Sequence, residues 1–232
     1  MKKAWNKGLT KETHPSVLKI SKTMKSKEFD NFYNWREEMK RAGKIKDEYL
    51  SFKKDALLAE LIGVVLGDGH IQAFPRTERL TISANSNNQG FINRYYNIVH
   101  KVFNKKPSLI KSKSANCTRI SIYEKFISKR LGVPTGNRKE SLNGIPRWTW
   151  RNKKFLIGCL RGLYEAEGSF VIHKPTCTFK ASFSNKNPKL LKDVYEALQM
   201  LKFSPLYEKY RIMISRKKEF FALQDLINFR NY

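Results

Sequence analysis

Hydrophobic and polar positions along this 232-residue chain follow two kinds of rhythm, and each rhythm occurs twice. Two helical runs are almost wholly apolar until they end in an acid and a glycine. The first is Leu61-Ile62-Gly63-Val64-Val65-Leu66-Gly67-Asp68-Gly69, and the second is Leu160-Arg161-Gly162-Leu163-Tyr164-Glu165-Ala166-Glu167-Gly168. Their acids, Asp68 and Glu167, stand 99 residues apart. Each run has two small residues spaced by four, Gly63 with Gly67 and Gly162 with Ala166. Residues four apart share a helix face, so each helix offers a flat strip that another backbone can approach.

After each run the pattern changes to the period of two expected for strands. Following Asp68, strands are predicted at His70–Phe74 and Arg79–Asn85, a helix at Gln89–Phe103, strands at Leu109–Lys111 and Cys117–Tyr123, and a helix at Lys125–Leu131. Following Glu167 the order recurs: strands Ser169–Lys174 and Cys177–Ser184, a helix Pro188–Leu201, strands Leu206–Lys209 and Arg211–Ser215, and a helix Glu219–Asn228. Phe91, Tyr96, Val99 and Val102 match Leu190, Tyr195, Leu198 and Leu201 at the same offset. The fold class is therefore α+β, with two αββαββα units. Within the strands, Leu80, Ile82 and Ala84 oppose Arg79, Thr81, Ser83 and Asn85, and Cys177, Phe179, Ala181 and Phe183 oppose Thr178, Lys180, Ser182 and Ser184. One face packs on helices, and the other is polar and basic.

The organisation read from this pattern is an N-terminal segment 1–50, a first unit 51–131, a linker 132–154 and a second unit 155–232. The linker is rich in turn formers such as Pro134, Gly136, Asn143, Gly144 and Pro146. Residues 1–54 hold 13 Lys and 2 Arg against 7 acids, with helices expected near Ser16–Lys25 and Glu28–Ala42. Phe29, Phe32, Tyr33 and Trp35 would give this segment a small core or dock it on the main body.

Composition narrows the partner. A net charge of +26 with 41% hydrophobic residues describes a folded protein that binds a polyanion, nucleic acid before an anionic membrane. The apolar stretch Leu57–Leu66 is about half the ~20 residues that cross a bilayer. No secretory leader is read at the N-terminus, so an intracellular protein is expected. Cys117, Cys159 and Cys177 lack paired spacing and read as free thiols.

Asp68 and Glu167 end their helices where the macrodipole disfavours negative charge. Two acids brought together in this way repel one another, but oxygen ligands of this kind suit Mg²⁺, which takes one or two carboxylates together with phosphate oxygens and water. Neither a Ser/His/Asp arrangement nor a ligand spacing among His14, His70, His100 and His173 competes.

These residues resemble the single-chain, two-motif LAGLIDADG homing endonucleases over about residues 51–232. The resemblance is most specific in the second copy, where Ile145-Pro146-Arg147-Trp148 precedes the run from Phe155 to Phe170. It implies two antiparallel sheets forming a saddle over duplex DNA, with the motif helices packed at its centre. It also implies that Asp68 and Glu167 are the catalytic acids that bind Mg²⁺ or Mn²⁺, cutting both strands across the minor groove to leave 3′ overhangs. Further positions transfer from the family pattern: Asn185, with Asn85 or Ser86 as its first-copy match, and a lysine at Lys125 and at Lys217 or Lys218. Within residues 1–25, Asn6-Lys7-Gly8, Glu12, Ile20-Ser21 and Met24-Lys25 resemble a modular DNA-binding motif attached to such nucleases.

The expected partner is double-stranded DNA carrying a long, asymmetric site, bound by a monomer with no membrane involvement. Its expected readers are Gln72, Arg76, Arg79, Thr81, Ser83, Arg119 and Tyr123 in the first copy and His173, Lys174, Lys180, Ser182 and Arg211 in the second. The rival reading is a binding protein of the same fold, either an intron RNA maturase or a DNA-binding protein without cleavage.

Overall fold

The computed structural model describes every residue except 1–3, 28, 29, 31, 47, 113 and 137–142. The chain divides into two compact units, Met1–Tyr49 and Leu50–Tyr232. In the first, α1 (Pro15–Ser26) is capped by His14, whose ring nitrogen accepts from Ser16 N at 3.2 Å, and α2 (Tyr33–Arg41) follows. Neither helix buries a residue. The expected aromatic core is therefore not formed: Phe32, Tyr33 and Trp35 are more than half exposed. Tyr33 and Trp35 are two residues apart, so they leave the helix on different faces and cannot join in one stripe. Phe29 lies outside the described residues.

The second unit is built around α3 (Ala56–Gly67) and α6 (Lys153–Glu167). Asp55 caps α3 by accepting from Leu58 N at 2.8 Å, and Asn152 caps α6 by accepting from Lys154 N at the same distance. From Leu58 to Gly67 every residue of α3 is buried, as a helix apolar on all sides requires.

Each central helix leads into a four-stranded antiparallel sheet. The first holds β1 (Gly69–Phe74), β2 (Thr77–Asn85), β3 (Ser108–Lys111) and β4 (Cys117–Glu124) in the order β1-β2-β4-β3. The second holds β5 (Gly168–His173), β6 (Thr178–Ser184), β7 (Leu206–Glu208) and β8 (Arg211–Ile214) in the matching order β5-β6-β8-β7. Helices α4 (Gln89–Phe103) and α5 (Ile127–Leu131) accompany the first sheet, and α7 (Pro188–Met200) and α8 (Lys217–Ile227) the second. The repeat in the sequence is thus a repeat in architecture. Burial repeats with it: Phe91 and Leu190 are buried, as are Val99 and Leu198, while Tyr96 and Tyr195 are partly covered, as are Val102 and Leu201.

Leu80 and Ile82 are buried on the helix side of β2, as are Ala181 and Phe183 on β6. Cys177 departs from its expected place in this row. The last pair of the β5–β6 hairpin is His173 with Thr178, and Cys177 sits exposed in the turn at φ 50°. Pro175 lies in the short 3-10 turn Lys174–Thr176 and shortens the strand by one residue.

Candidate active site

The two motif helices touch through their backbones. A Cβ added to Gly63 would collide with the Cys159 carbonyl and lie 3.0 Å from Leu163 N. One on Gly162 would collide with the Glu60 carbonyl and lie 2.6 Å from Val64 N. One on Gly158 would lie 2.5 Å from the Ala56 carbonyl. Gly158, which the sequence reading passed over, extends the strip of small residues one turn N-terminal to Gly162 and Ala166.

At the far end of this contact, Gly67 abuts the Ala166 side chain, and its Cβ position is 3.3 Å from Glu167 Cγ. The residue before Asp68 therefore packs against the second acid, and the two carboxylate-bearing helix ends are brought together. Asp68 is exposed and Glu167 partly so. Two further acids on these helices are buried and committed elsewhere. Glu60 takes a bidentate bond from Arg94 at 2.6 and 2.7 Å, with Arg161 at 3.5 Å. Burial works against the Arg94 charge, but the Glu60 carboxylate more than offsets it, and the Arg94 pKa is raised. Glu165 accepts from Arg230 N at 2.7 Å and from the Tyr232 hydroxyl at 2.6 Å.

Among the described residues, no three of His, Cys, Asp and Glu gather as a metal cluster. A cation at the helix ends would rest on Asp68 and Glu167, with phosphate and water completing an all-oxygen set. That donor set fits Mg²⁺ or Mn²⁺ and not a soft metal.

The transferred asparagines sit at matching turns. Asn85 Oδ1 accepts from Asn87 N at 2.9 Å, and Asn185 Oδ1 accepts from Asn187 N at 2.8 Å. By backbone bonding, Asn185 corresponds instead to Ser86, since each donates its N–H to the neighbouring strand turn, at Tyr210 O and Asn116 O. Ser86 is turned inward and bonds Thr118 at 2.9 Å, which leaves Asn85 as the first-copy side chain available at the surface. Glu167 and Asn185 line a common cavity with His70, Lys186 and Tyr210. Lys186 is marked by no pattern in the sequence, and His70 enters there only as a strand residue and a histidine without ligand spacing. For His70 the signal was its place two residues after Asp68 on a strand that begins at Gly69.

The lysines are a correction. Lys125 follows Glu124, which pairs with Glu78 and through it lies level with Ala73, five residues beyond Asp68. Lys217 stands with its Nζ 5.4 Å from the Phe179 ring, and Phe179 pairs with Ile172, five residues beyond Glu167. Both are displaced roughly 15 Å along the strands from the acids. The cause is strand direction: β4 and β8 run away from the helix ends, so the chain that follows each is delivered to the opposite end of its sheet. Lys218 shares this displacement.

Register places the proposed DNA readers on one face of each sheet. His70, Gln72 and Phe74 of β1 lie beside Thr81, Arg79 and Thr77 of β2, and Arg79 and Ser83 lie beside Tyr123 and Arg119 of β4. In the second sheet, Ser169, Val171 and His173 lie beside Ser182, Lys180 and Thr178, and Ser184 lies beside Arg211. Arg76 and Lys174 lie in the hairpin turns beyond. Val171 belongs to this face and is half exposed, an apolar member that the polar alternation did not suggest.

Residues 154–228 match the family model described as a LAGLIDADG-like domain. No curated protein matches the chain. Among solved structures, I-DmoI in complex with DNA and Mn matches with TM-score 0.53 and 18% identity, over 74% of this chain and 96% of that one. The homing endonuclease I-WcaI bound to its DNA recognition sequence matches with TM-score 0.52 and 17% identity, over 79% and 84%. The N-terminal LAGLIDADG domain of DUF199/WhiA matches with TM-score 0.51 and 14% identity, over 74% and 80%. Residues 154–228 are thus similar to a LAGLIDADG-like domain, and the two units paired through α3 and α6 share the fold of the LAGLIDADG structures they match.

Proposed function

We propose that this protein is a site-specific, divalent-metal-dependent DNA endonuclease that cuts both strands across the minor groove and leaves 3′ overhangs. The observation that carries this reading is the meeting of two carboxylate-bearing helix ends, Gly67 against Glu167, between two sheets whose polar faces hold Arg79, Arg119, Lys180 and Arg211. It is supported by the likeness to I-DmoI and I-WcaI, both solved on DNA.

Asp68 and Glu167 would hold the cation, and the chemistry such an ion supplies is polarisation of the phosphate and activation of water. The chain's own contribution is positioning. Asn85 and Asn185 have their side-chain oxygens bound to turn N–H groups, which leaves their amide N–H groups to donate to a phosphate oxygen or a water. The sheet faces would hold the duplex so that its minor groove crosses the helix ends. The test is cleavage of a duplex that joins the genomic sequences flanking the gene, with Mg²⁺ and with EDTA. Cleavage should require the ion. Asp68→Asn and Glu167→Gln should each lower double-strand cleavage by at least a hundredfold while leaving the dissociation constant within a few-fold. Full cutting by either variant would remove that acid from the mechanism.

A further inference from the structure

Three side chains on the polar face of the first sheet are already joined before any ligand arrives. Gln72, Arg79 and Tyr123 are cross-strand neighbours in one row, Gln72 opposite Arg79 and Arg79 opposite Tyr123. Arg79 Nη2 donates to Gln72 Oε1 at 2.5 Å, and Nη1 donates to the Tyr123 hydroxyl oxygen at 3.2 Å. The guanidinium also lies 5.6 Å from the Phe74 ring centre and 5.7 Å from that of Tyr123, within cation–π range of both. Phe74 and Tyr123 are over a third exposed, so the cluster faces outward.

Arginine has no acceptor, and in binding its neighbours it takes one of the two lone pairs on each of their oxygens. With its carbonyl oxygen given to Arg79, Gln72 has its NH₂ left for a ligand. With its oxygen accepting from Arg79, Tyr123 turns its own O–H outward as a donor. The cluster therefore offers donors from all three members. Glutamine on its own reads adenine by giving one bond and taking one, and Arg79 competes for that pairing by occupying one of the two lone pairs on the oxygen. Among bases in the major groove, guanine alone shows two acceptors, N7 and O6, whereas adenine and cytosine put an amino group toward the protein.

We infer that Gln72, Arg79 and Tyr123 act as one reading unit that selects a guanine in the half-site of the first copy. Register also gives its place. Arg79 is three residues outward from Ile82, which pairs with Gly69, the neighbour of Asp68. Three residues of strand are about 10 Å, roughly three base pairs along a duplex. The second copy has no such cluster: its counterpart face carries Val171, Lys180 and Ser182, with Ser169 and Ser182 bonded to each other at 2.8 Å. The two half-sites are therefore read by different chemistry.

The inference rests on the proposed DNA-binding function, and its test separates the two. Duplexes selected for binding from a pool randomised across the site are sequenced, for the full chain and for Gln72→Ala, Arg79→Ala and the double variant. The expected result is one position enriched in guanine by about tenfold, about three base pairs outward from the cleavage centre on one side. Both single variants should flatten that same position, and the double variant should flatten it no further than either alone. Gln72 and Arg79 are partly buried, so unchanged melting curves are required as the control for folding. Sequence-selective binding without that guanine, or single variants that relax two different positions, would overturn the reading unit and leave the function standing. A wild-type chain that selects no sequence at all would sink the function itself.

Discussion

Glu165 and Glu167 are two residues apart on α6, yet they face different tasks. Glu167 lines a cavity with Asn185 and His70, while Glu165 is 5% exposed and bound by the last residues of the chain. The Tyr232 ring also lies against Gly90 at the start of α4, so a single side chain ties the second motif helix to the first unit. Burial, and then the Glu165 carboxylate, push the Tyr232 phenol above its ordinary pKa, so the hydroxyl stays a donor through the neutral range. Tyr232→Phe removes a donor from a buried carboxylate, which costs about 1–3 kcal/mol, and the thermal midpoint should fall accordingly. The first copy shows the alternative, because Leu66 occupies the place of Glu165. Glu165→Leu combined with Tyr232→Phe should recover part of that loss, since carboxylate and phenol are replaced together and the Arg230 N–H alone of the two donors loses its acceptor. If the double variant melts lower than the two single losses added together, the carboxylate stabilises the fold by more than its pairing.

At the scale of elements, the contact between α3 and α6 depends on what is absent from their facing surfaces. Gly63, Gly158 and Gly162 each sit against a carbonyl of the partner helix, so a side chain at any of them must push two backbones apart. Gly162→Leu should destabilise the protein by at least the 1–3 kcal/mol typical of overpacking. It should also lower cleavage more than binding, because the displaced helix ends carry the acids. Normal cleavage by a folded Gly162→Leu protein would show that the acids tolerate separation. This contact was legible in the sequence because the small residues recur every four positions, and the long strands β2 and β6 were legible because apolar and polar residues alternate along them. The lysine assignments failed for a physical reason. Sequence order fixes which residue starts α8 but not the direction in which β8 runs, and direction decides which end of the sheet Lys217 reaches. Cys177 was misplaced in the same way, since alternation continues through a turn that the backbone does not. Asn85 and Asn185 could be found as residue types, but their different backbone equivalents appear only once the strand turns at Asn116 and Tyr210 are paired.

Over the whole molecule, charge is spread more widely than the core. The buried core runs from Leu58 to Phe229, so residues 50–232 hold a complete interior of their own. The N-terminal unit buries nothing in its two helices, and its aromatics Phe32, Tyr33 and Trp35 are more than half exposed. A segment of this kind has little to gain from folding alone, whereas along a duplex each lysine near a phosphate releases a counterion and adds about 0.9 to the slope of log K against log salt. Removing residues 1–49 should therefore leave the thermal midpoint of the remainder nearly unchanged, flatten that slope by at least one contact, and shorten the protected footprint at one end only. Cleavage at saturating protein should persist, because Asp68, Glu167 and both sheets remain. Binding measured across a range of salt concentrations, with footprinting of the full and shortened chains, checks all three outcomes. An unchanged slope and footprint would mean that the N-terminal unit serves a partner other than DNA.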